Sequence, residues 1–154
     1  MALTVEIPGR ETLTLHHLLL DQNGTLTDRG ELIDGVAERL AQVKADLQPH
    51  LLSADTFGTL EQLAAELDIE AHRVTTGAEK QRFLERLDPQ GCVAIGNGTN
   101  DERMLRSATL GIVVLGPEGT SVAAMMAAHL VCGSVLHALD LLLDTRLLVA
   151  TLRT

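Results

Sequence analysis

Asp21, Ser53, Lys80, Asn97 and Asp101 are spaced along the 154-residue chain, each near a point where an apolar run gives way to a polar turn or a helix begins. Between them they offer a carboxylate nucleophile, a hydroxyl donor, a cation and a second polar cluster able to face a metal. Phosphoryl transfer to a carboxylate needs those parts. The nucleophile stands in line, donors hold the equatorial oxygens, and Lys with a hard cation such as Mg2+ absorbs the charge. Taken singly, each residue has an ordinary explanation: an Asx turn at Asp21, a turn serine at 53, a solvated helix lysine at 80, a plain strand-to-helix turn at Gly96–Gly98. Only their convergence on one edge of a fold would make them a site.

The elements that must position them follow from apolar spacing. Leu18-Leu19-Leu20 is a continuous apolar run closed by Asp21-Gln22-Asn23-Gly24-Thr25, the pattern of a buried parallel strand ending in a turn. Thr4–Ile7 and Thr12–Leu20 read as two strands of a hairpin around Pro8-Gly9-Arg10, the second running on into Asp21. Asp28-Arg29-Gly30 reads as a loop or tight turn. Leu32, Ile33, Val36, Leu40 and Val43 recur at helical spacing with Asp34 as a cap, and Pro49-His50 ends that helix before a short strand, Leu51-Leu52, that leads to Ser53. A helix over 59–67, a strand over 72–74, a helix over 78–87 and a strand over 92–95 follow. Further on, a short helix over 102–108, a strand over 110–115, a helix over 120–128, an edge strand over 130–132 and a Leu-rich closing helix capped by Ser134 complete the chain. Strands alternating with helices predict an α/β fold, a doubly wound parallel sheet with helices on both faces, in one domain spanning 1–154. The strand ends of such a sheet share one edge, where ligands bind.

Composition narrows the function. Hydrophobic residues make up 45% of the chain, and aromatic ones only 1%, with no Trp or Tyr. That argues against stacking platforms for single-stranded nucleic acid or sugars. A net charge of -9 without a basic cluster argues against nucleic acid as a partner. Cys92 and Cys132 are expected to be buried structural thiols in a reducing cytoplasm. No apolar stretch reaches membrane-spanning length, because Asp140 and Asp144 interrupt the leucine-rich tail. The six histidines show no local ligand spacing and are expected to be structural or surface residues.

With these residues in order, the sequence resembles the haloacid dehalogenase-like hydrolase superfamily. Its usual pattern is Asp-x-Asp-Gly-Thr, then Ser or Thr after a strand, then Lys, then Gly-Asp-Gly-x-x-x-Asp or a close variant. The matching stretches are Asp21-Gln22-Asn23-Gly24-Thr25-Leu26-Thr27, Ser53, Lys80 and Gly96-Asn97-Gly98-Thr99-Asn100-Asp101. The likeness is nearest to the phosphorylation domain of P-type ATPases and its small soluble relatives, whose Thr-Gly-Asp resembles Ser53-Ala54-Asp55. The resemblance implies an aspartyl phosphate on Asp21, a hydrogen bond from Ser53 to the phosphoryl group, and its neutralisation by Lys80. It also implies Mg2+ held by Asp21, the backbone carbonyl of Asn23 and Asn97, with Asp101 in an outer position or acting through water. Gly24, Thr25, Ala54, Asp55 and Asn100 would line the substrate. Asp55 and Thr56 serve equally well as helix-capping residues, and Asn100 as a support for Asp101 or Lys80.

Two departures from the pattern carry chemical consequences. Asn23 replaces the Asp that acts as acid and base in phosphatases of this kind. An amide shuttles no proton, and such catalysis is typically worth about 10²–10⁴-fold. Asn97 replaces a direct Mg2+ ligand and removes one negative charge. Slow turnover and weak metal binding follow, with acyl phosphates or other good leaving groups favoured. The intervals 28–49 and 53–80 leave no room for a separate cap domain, so the site should be open to a phosphorylated small molecule or a phosphoprotein, or closed by a second copy in a homo-oligomer. A phosphate-binding or protein-binding regulatory module without turnover is the competing reading. A receiver domain also uses Asp, Ser or Thr, and Lys, but its acidic pair precedes the phosphorylated Asp, the reverse of the order here.

Overall fold

The computed structural model describes residues 1–55, 58–87 and 89–154. Six parallel strands form the central sheet: β3 (His17–Asp21), β6 (Gln48–Ser53), β7 (Glu70–Arg73), β8 (Cys92–Gly96), β9 (Leu110–Val114) and β10 (Leu130–Cys132). Their order across the sheet is β10-β9-β8-β3-β6-β7. The chain leaves β3 in one direction to lay down β6 and β7, then crosses back and builds β8, β9 and β10 on the other side. The reversal falls between β3 and β8, and a crevice at such a switch point is where open α/β sheets bind ligands.

Helices cover both faces. On one lie α1 (Val36–Val43), α2 (Thr59–Leu67), α6 (Val135–Leu143) and α7 (Thr145–Leu152), packed against Leu18, Leu20, Leu51, Val93 and Ile95. On the other lie α3 (Gly77–Leu87), α4 (Glu102–Ser107) and α5 (Val122–Ala127), packed against Leu19, Leu52, Ala94 and Val113. Successive residues of β3 thus enter opposite cores, which is why its apolar run is unbroken. Arg39 ties α1 to α6 through Asp140, with Nε 2.7 Å from Oδ1. Both cysteines are buried. Among the described residues no helix is long and apolar enough to cross a membrane.

The N-terminal hairpin forms as expected: β1 (Leu3–Val5) pairs antiparallel with β2 (Leu13–Leu15). Its second strand does not continue to Asp21, however. The chain breaks at His16, whose N–H donates to the Gly91 carbonyl and whose carbonyl accepts from Gln48, and the central strand starts afresh at His17. The break escapes notice in the sequence because both segments are apolar at the same rhythm.

The helix expected from Leu32 begins only at Val36. Leu32 instead belongs to a small hairpin of β4 (Thr27–Asp28) and β5 (Glu31–Leu32), turning through Arg29 and Gly30, both at positive φ as a type I′ turn requires. Leu32 and Ile33 still pack on the core that α1 covers, so the apolar spacing is real although the backbone is not helical. Gly35 at φ 95°, not Asp34, stands at the helix N-terminus. Pro49 lies inside β6 and not in a helix-breaking loop. It pairs in register with Leu18, while β7 joins the sheet only from His50 onward, so no neighbour on that side needs the missing N–H. The closing helix is two helices, broken at Asp144, whose Oδ1 accepts from the Arg146 N–H and caps α7.

Candidate active site

Asp21 ends β3, and Gly96 ends the neighbouring β8, so the turns that follow them face each other across the switch point. Lys80 comes from the first turn of α3 and is 1% exposed, with its ammonium between two carboxylates. Nζ donates to Asp21 Oδ1 at 2.8 Å and to Asp101 Oδ1 at 2.7 Å. The other oxygen of Asp101 accepts the backbone N–H groups of Asn97 and Gly98, each at 3.0 Å. Both Asp101 oxygens are thereby engaged, and the residue pins the Asn97 turn to Lys80. Gly96 makes this possible, because a Cβ there would meet the Asp101 carboxylate at 2.5 Å.

The opposite side of Asp21 is different. The Thr25 hydroxyl lies 3.1 Å from Asp21 Oδ2 and 3.2 Å from Asn97 Oδ1. One hydroxyl proton therefore faces two acceptor oxygens. The amide of Asn97 is oriented by Nδ2, which donates to the Gly119 carbonyl at 3.1 Å, so Oδ1 points inward. Two electron-rich oxygens share a single proton there, an environment suited to a hard cation with oxygen ligands. Gly24 shapes the rim: at φ 76° it is in the left-handed region, and a Cβ would collide with the Glu118 carboxylate.

The electrostatics follow from burial. Desolvation, and then repulsion from Asp101, push the Asp21 carboxyl up to about 7, although Lys80 and Thr25 pull the other way. Burial disfavours the charge on Lys80, but Asp21 and Asp101 outweigh it, and its pKa lies above the ordinary lysine value. The triad carries a net charge of one negative unit when all three members are ionised.

The remaining expected residues are distributed around this centre. Ser53 is buried at the end of β6, next to β3, and its Oγ accepts from the Asp55 N–H at 3.0 Å. Asp55 turns its carboxylate to the start of α2, where Oδ2 accepts from Thr59 N (2.8 Å), Thr59 Oγ1 (2.9 Å) and Leu60 N (3.0 Å). Thr56 lies outside the described residues. Ala54, Asn100 and Asn23 are exposed. Asn23 sits in the Asp21–Thr27 turn, tied by the Gly24 N–H donating to the Thr27 carbonyl. Glu118 was not among the expected residues. It comes from the 116–119 loop after β9, and its Oε1 lies 3.5 Å from Asn97 Nδ2. A Gly-x-x-Gly loop following a strand of the same sheet edge was the available signal.

The parallel sheet order, the switch-point site and the sequence of motifs define the haloacid dehalogenase-like class of fold. The chain belongs to one family with the uncharacterized protein MJ0073 of Methanocaldococcus jannaschii, to which it is 41% identical over 78 residues, 48% of this chain and 84% of that one. No family model matches the sequence. Among solved structures, the chain is similar to 3-deoxy-D-manno-octulosonate 8-phosphate phosphatase from Moraxella catarrhalis, in complex with magnesium, phosphate and KDO, at TM-score 0.70 and 16% identity over 90% of this chain and 94% of that one. It is also similar to the cobalt-bound deoxy-D-mannose-octulosonate 8-phosphate phosphatase of Haemophilus influenzae, at TM-score 0.71 and 15% identity over 91% and 94% of the two chains. A zinc-transporting PIB-type ATPase matches at TM-score 0.66 and 20% identity, covering 78% of this chain and 20% of the transporter.

Proposed function

We propose that this chain is a Mg2+-dependent phosphohydrolase that acts through an aspartyl phosphate on Asp21 and turns over slowly. The observation that carries the reading is the buried Asp21–Lys80–Asp101 triad at the switch point, with Lys80 Nζ 2.8 Å from Asp21 Oδ1. Similarity to phosphatases solved with magnesium or cobalt supports it.

In this mechanism a carboxylate oxygen of Asp21 attacks the phosphorus of a phosphoryl group placed over the strand ends. The P–O bond to the leaving group breaks, and the transferred group rests on Asp21. Lys80 holds the nucleophile in place and offsets charge on the phosphoryl oxygens. Ser53 supplies a hydroxyl at the end of the adjacent strand. Asp21, the carbonyl of Asn23 and Asn97 Oδ1 would hold Mg2+, which supplies charge neutralisation and lowers the pKa of the Asp21 carboxyl when bound. Asp101 acts from behind, fixing Lys80 and the Asn97 turn. Asn23 gives neither a proton to the leaving group nor a base to the hydrolytic water, so a leaving group that needs no proton is preferred. That points to acyl phosphates. A single domain without a cap leaves the site open, consistent with a phosphorylated small molecule or a phosphoprotein as substrate.

Phosphate release from acetyl phosphate and p-nitrophenyl phosphate, with and without Mg2+, tests the reading. Metal-dependent turnover, absent in Asp21→Asn and raised in Asn23→Asp by up to about 10²–10⁴-fold, is expected. No turnover in either the parent or Asn23→Asp would overturn it in favour of a phosphate-binding or partner-binding module.

A further inference from the structure

The histidines that looked unrelated in the sequence converge below the phosphoryl site. His17 begins β3, His50 lies in β6, and Glu70 and His72 lie in β7. The parallel register sets Leu19 opposite His50, His50 opposite Glu70, and Leu52 opposite His72. Residues opposite one another in parallel strands, and residues two apart in one strand, share a face. All four side chains therefore stand on the α3 side of the sheet. There the Phe83 ring packs against His72 at 4.3 Å and His50 at 5.5 Å between centroids.

The geometry within the cluster is that of a ligand set. His50 Nδ1 lies 3.2 Å from Glu70 Oε2, and His72 Nε2 lies 3.5 Å from the same oxygen. Bonds of about 2.0–2.1 Å from a tetrahedral ion would set its ligand atoms about 3.3–3.4 Å apart, which these two spacings bracket. The third pair, His50 Nδ1 and His72 Nε2, lies within 4.8 Å. Both nitrogens are buried without a hydrogen-bond partner, and the His50 side chain is only 2% exposed.

The groups behind them are placed as supports. His50 Nε2 is 3.1 Å from His17 Nδ1. In the tautomer with the proton on Nε2, His50 donates to His17 and leaves Nδ1 unprotonated 3.2 Å from Glu70 Oε2. Gln48 Nε2 donates to Glu70 Oε1 at 3.2 Å, leaving Oε2 to face the two rings. Ligating histidines and carboxylates are normally oriented by such second partners.

We propose that His50, Glu70 and His72 bind Zn2+ through Nδ1, Oε2 and Nε2, with a fourth position open to water. Two imidazoles and one carboxylate select a borderline d-block cation over Mg2+, which prefers oxygen ligands alone. Glu70 and His72 are partly exposed on the edge strand, so the ion enters from solvent. Bound there, it clips β7, which is paired on one side only, to β6. No ligand of this site belongs to the Asp21 cluster, and the proposal does not depend on turnover.

Titration of the untagged, metal-free protein with Zn2+ in excess Mg2+ tests the site, with Co2+ absorption as a second readout. One tightly held Zn2+ per chain, a raised Tm, and Co2+ bands of four-coordinate intensity are expected. Glu70→Gln and His72→Gln, at positions exposed enough to keep the fold, should each weaken binding more than the roughly 10–100-fold that loss of a supporting group costs. Asp21→Asn should leave the stoichiometry unchanged. Absence of Zn2+ binding in the parent, or affinity unchanged from the parent in both edge-strand variants, would overturn the proposal. So would loss of binding in Asp21→Asn alone, which would put the ion at the phosphoryl site.

Discussion

Lys80 Nζ sits 2.8 Å from Asp21 Oδ1 and 2.7 Å from Asp101 Oδ1, so one buried ammonium serves two carboxylates that belong to different strand ends. The arrangement leaves one negative charge uncompensated in a water-poor crevice. It makes the fold less stable than an uncharged crevice would, and the consequences can be measured.

Asp21→Asn should be more stable than the parent at neutral and alkaline pH. Burial and Asp101 raise the Asp21 carboxyl from 3.8 to about 7 in the folded chain, so the fold favours its protonated form. That stabilising contribution is complete below the unfolded value and is lost as pH rises through the folded one. The variant has no such loss. In EDTA, its Tm advantage should be near zero at about pH 4 and a few degrees at about pH 8, since one kcal/mol moves the midpoint of a domain this size by roughly 2–4 °C.

Lys80→Met removes the only cation of the triad and keeps both carboxylates buried. Breaking a buried pair in this way typically costs about 3–5 kcal/mol, with the loss falling off in acid as Asp21 takes up a proton. Denaturant unfolding at two pH values reads it directly. Phosphate release should be abolished in any fraction that stays folded.

Asn97→Asp should trade stability for metal affinity. It converts the Nδ2 donor to Gly119 into an oxygen facing that carbonyl, and it adds charge beside Asp21. The metal-free protein should melt at a lower temperature than the parent. Mg2+ should bind tighter by about tenfold or more, because one further unit charge at coordination distance is worth at least ~1.4 kcal/mol. Calorimetric titration with Mg2+ separates the two effects.

Gly96→Ala tests how closely Asp101 is fitted. The added methyl would stand 2.5 Å from the Asp101 carboxylate in a buried strand, so the carboxylate must move and Lys80 with it. Overpacking of this kind costs about 1–3 kcal/mol. The same substitution should lower turnover without touching any group that contacts substrate.

The order of polar residues at strand ends was legible from the sequence because it is local. Apolar runs that stop at Asp21, Ser53 and Gly96 mark strand termini, and alternation with helices forces those strands parallel, so their ends share an edge. Asp21, Lys80 and Asp101 could be brought together on that basis alone. Backbone detail within apolar segments was not legible. The break at His16, the β4–β5 hairpin at Leu32 and the place of Pro49 within β6 depend on which carbonyl or strand lies opposite, and apolar spacing is the same either way. Glu118 was missed because an exposed loop acquires meaning only from the Asn97 amide it meets. The histidine cluster lies furthest from local inference. His17, His50, Glu70 and His72 come from three strands, and a shift of one residue in any pairing would turn a ligand to the other face. Sequence spacing determined which chemistry gathers at the strand ends, while strand register, set by packing on both faces of the sheet, decided which distant side chains meet elsewhere.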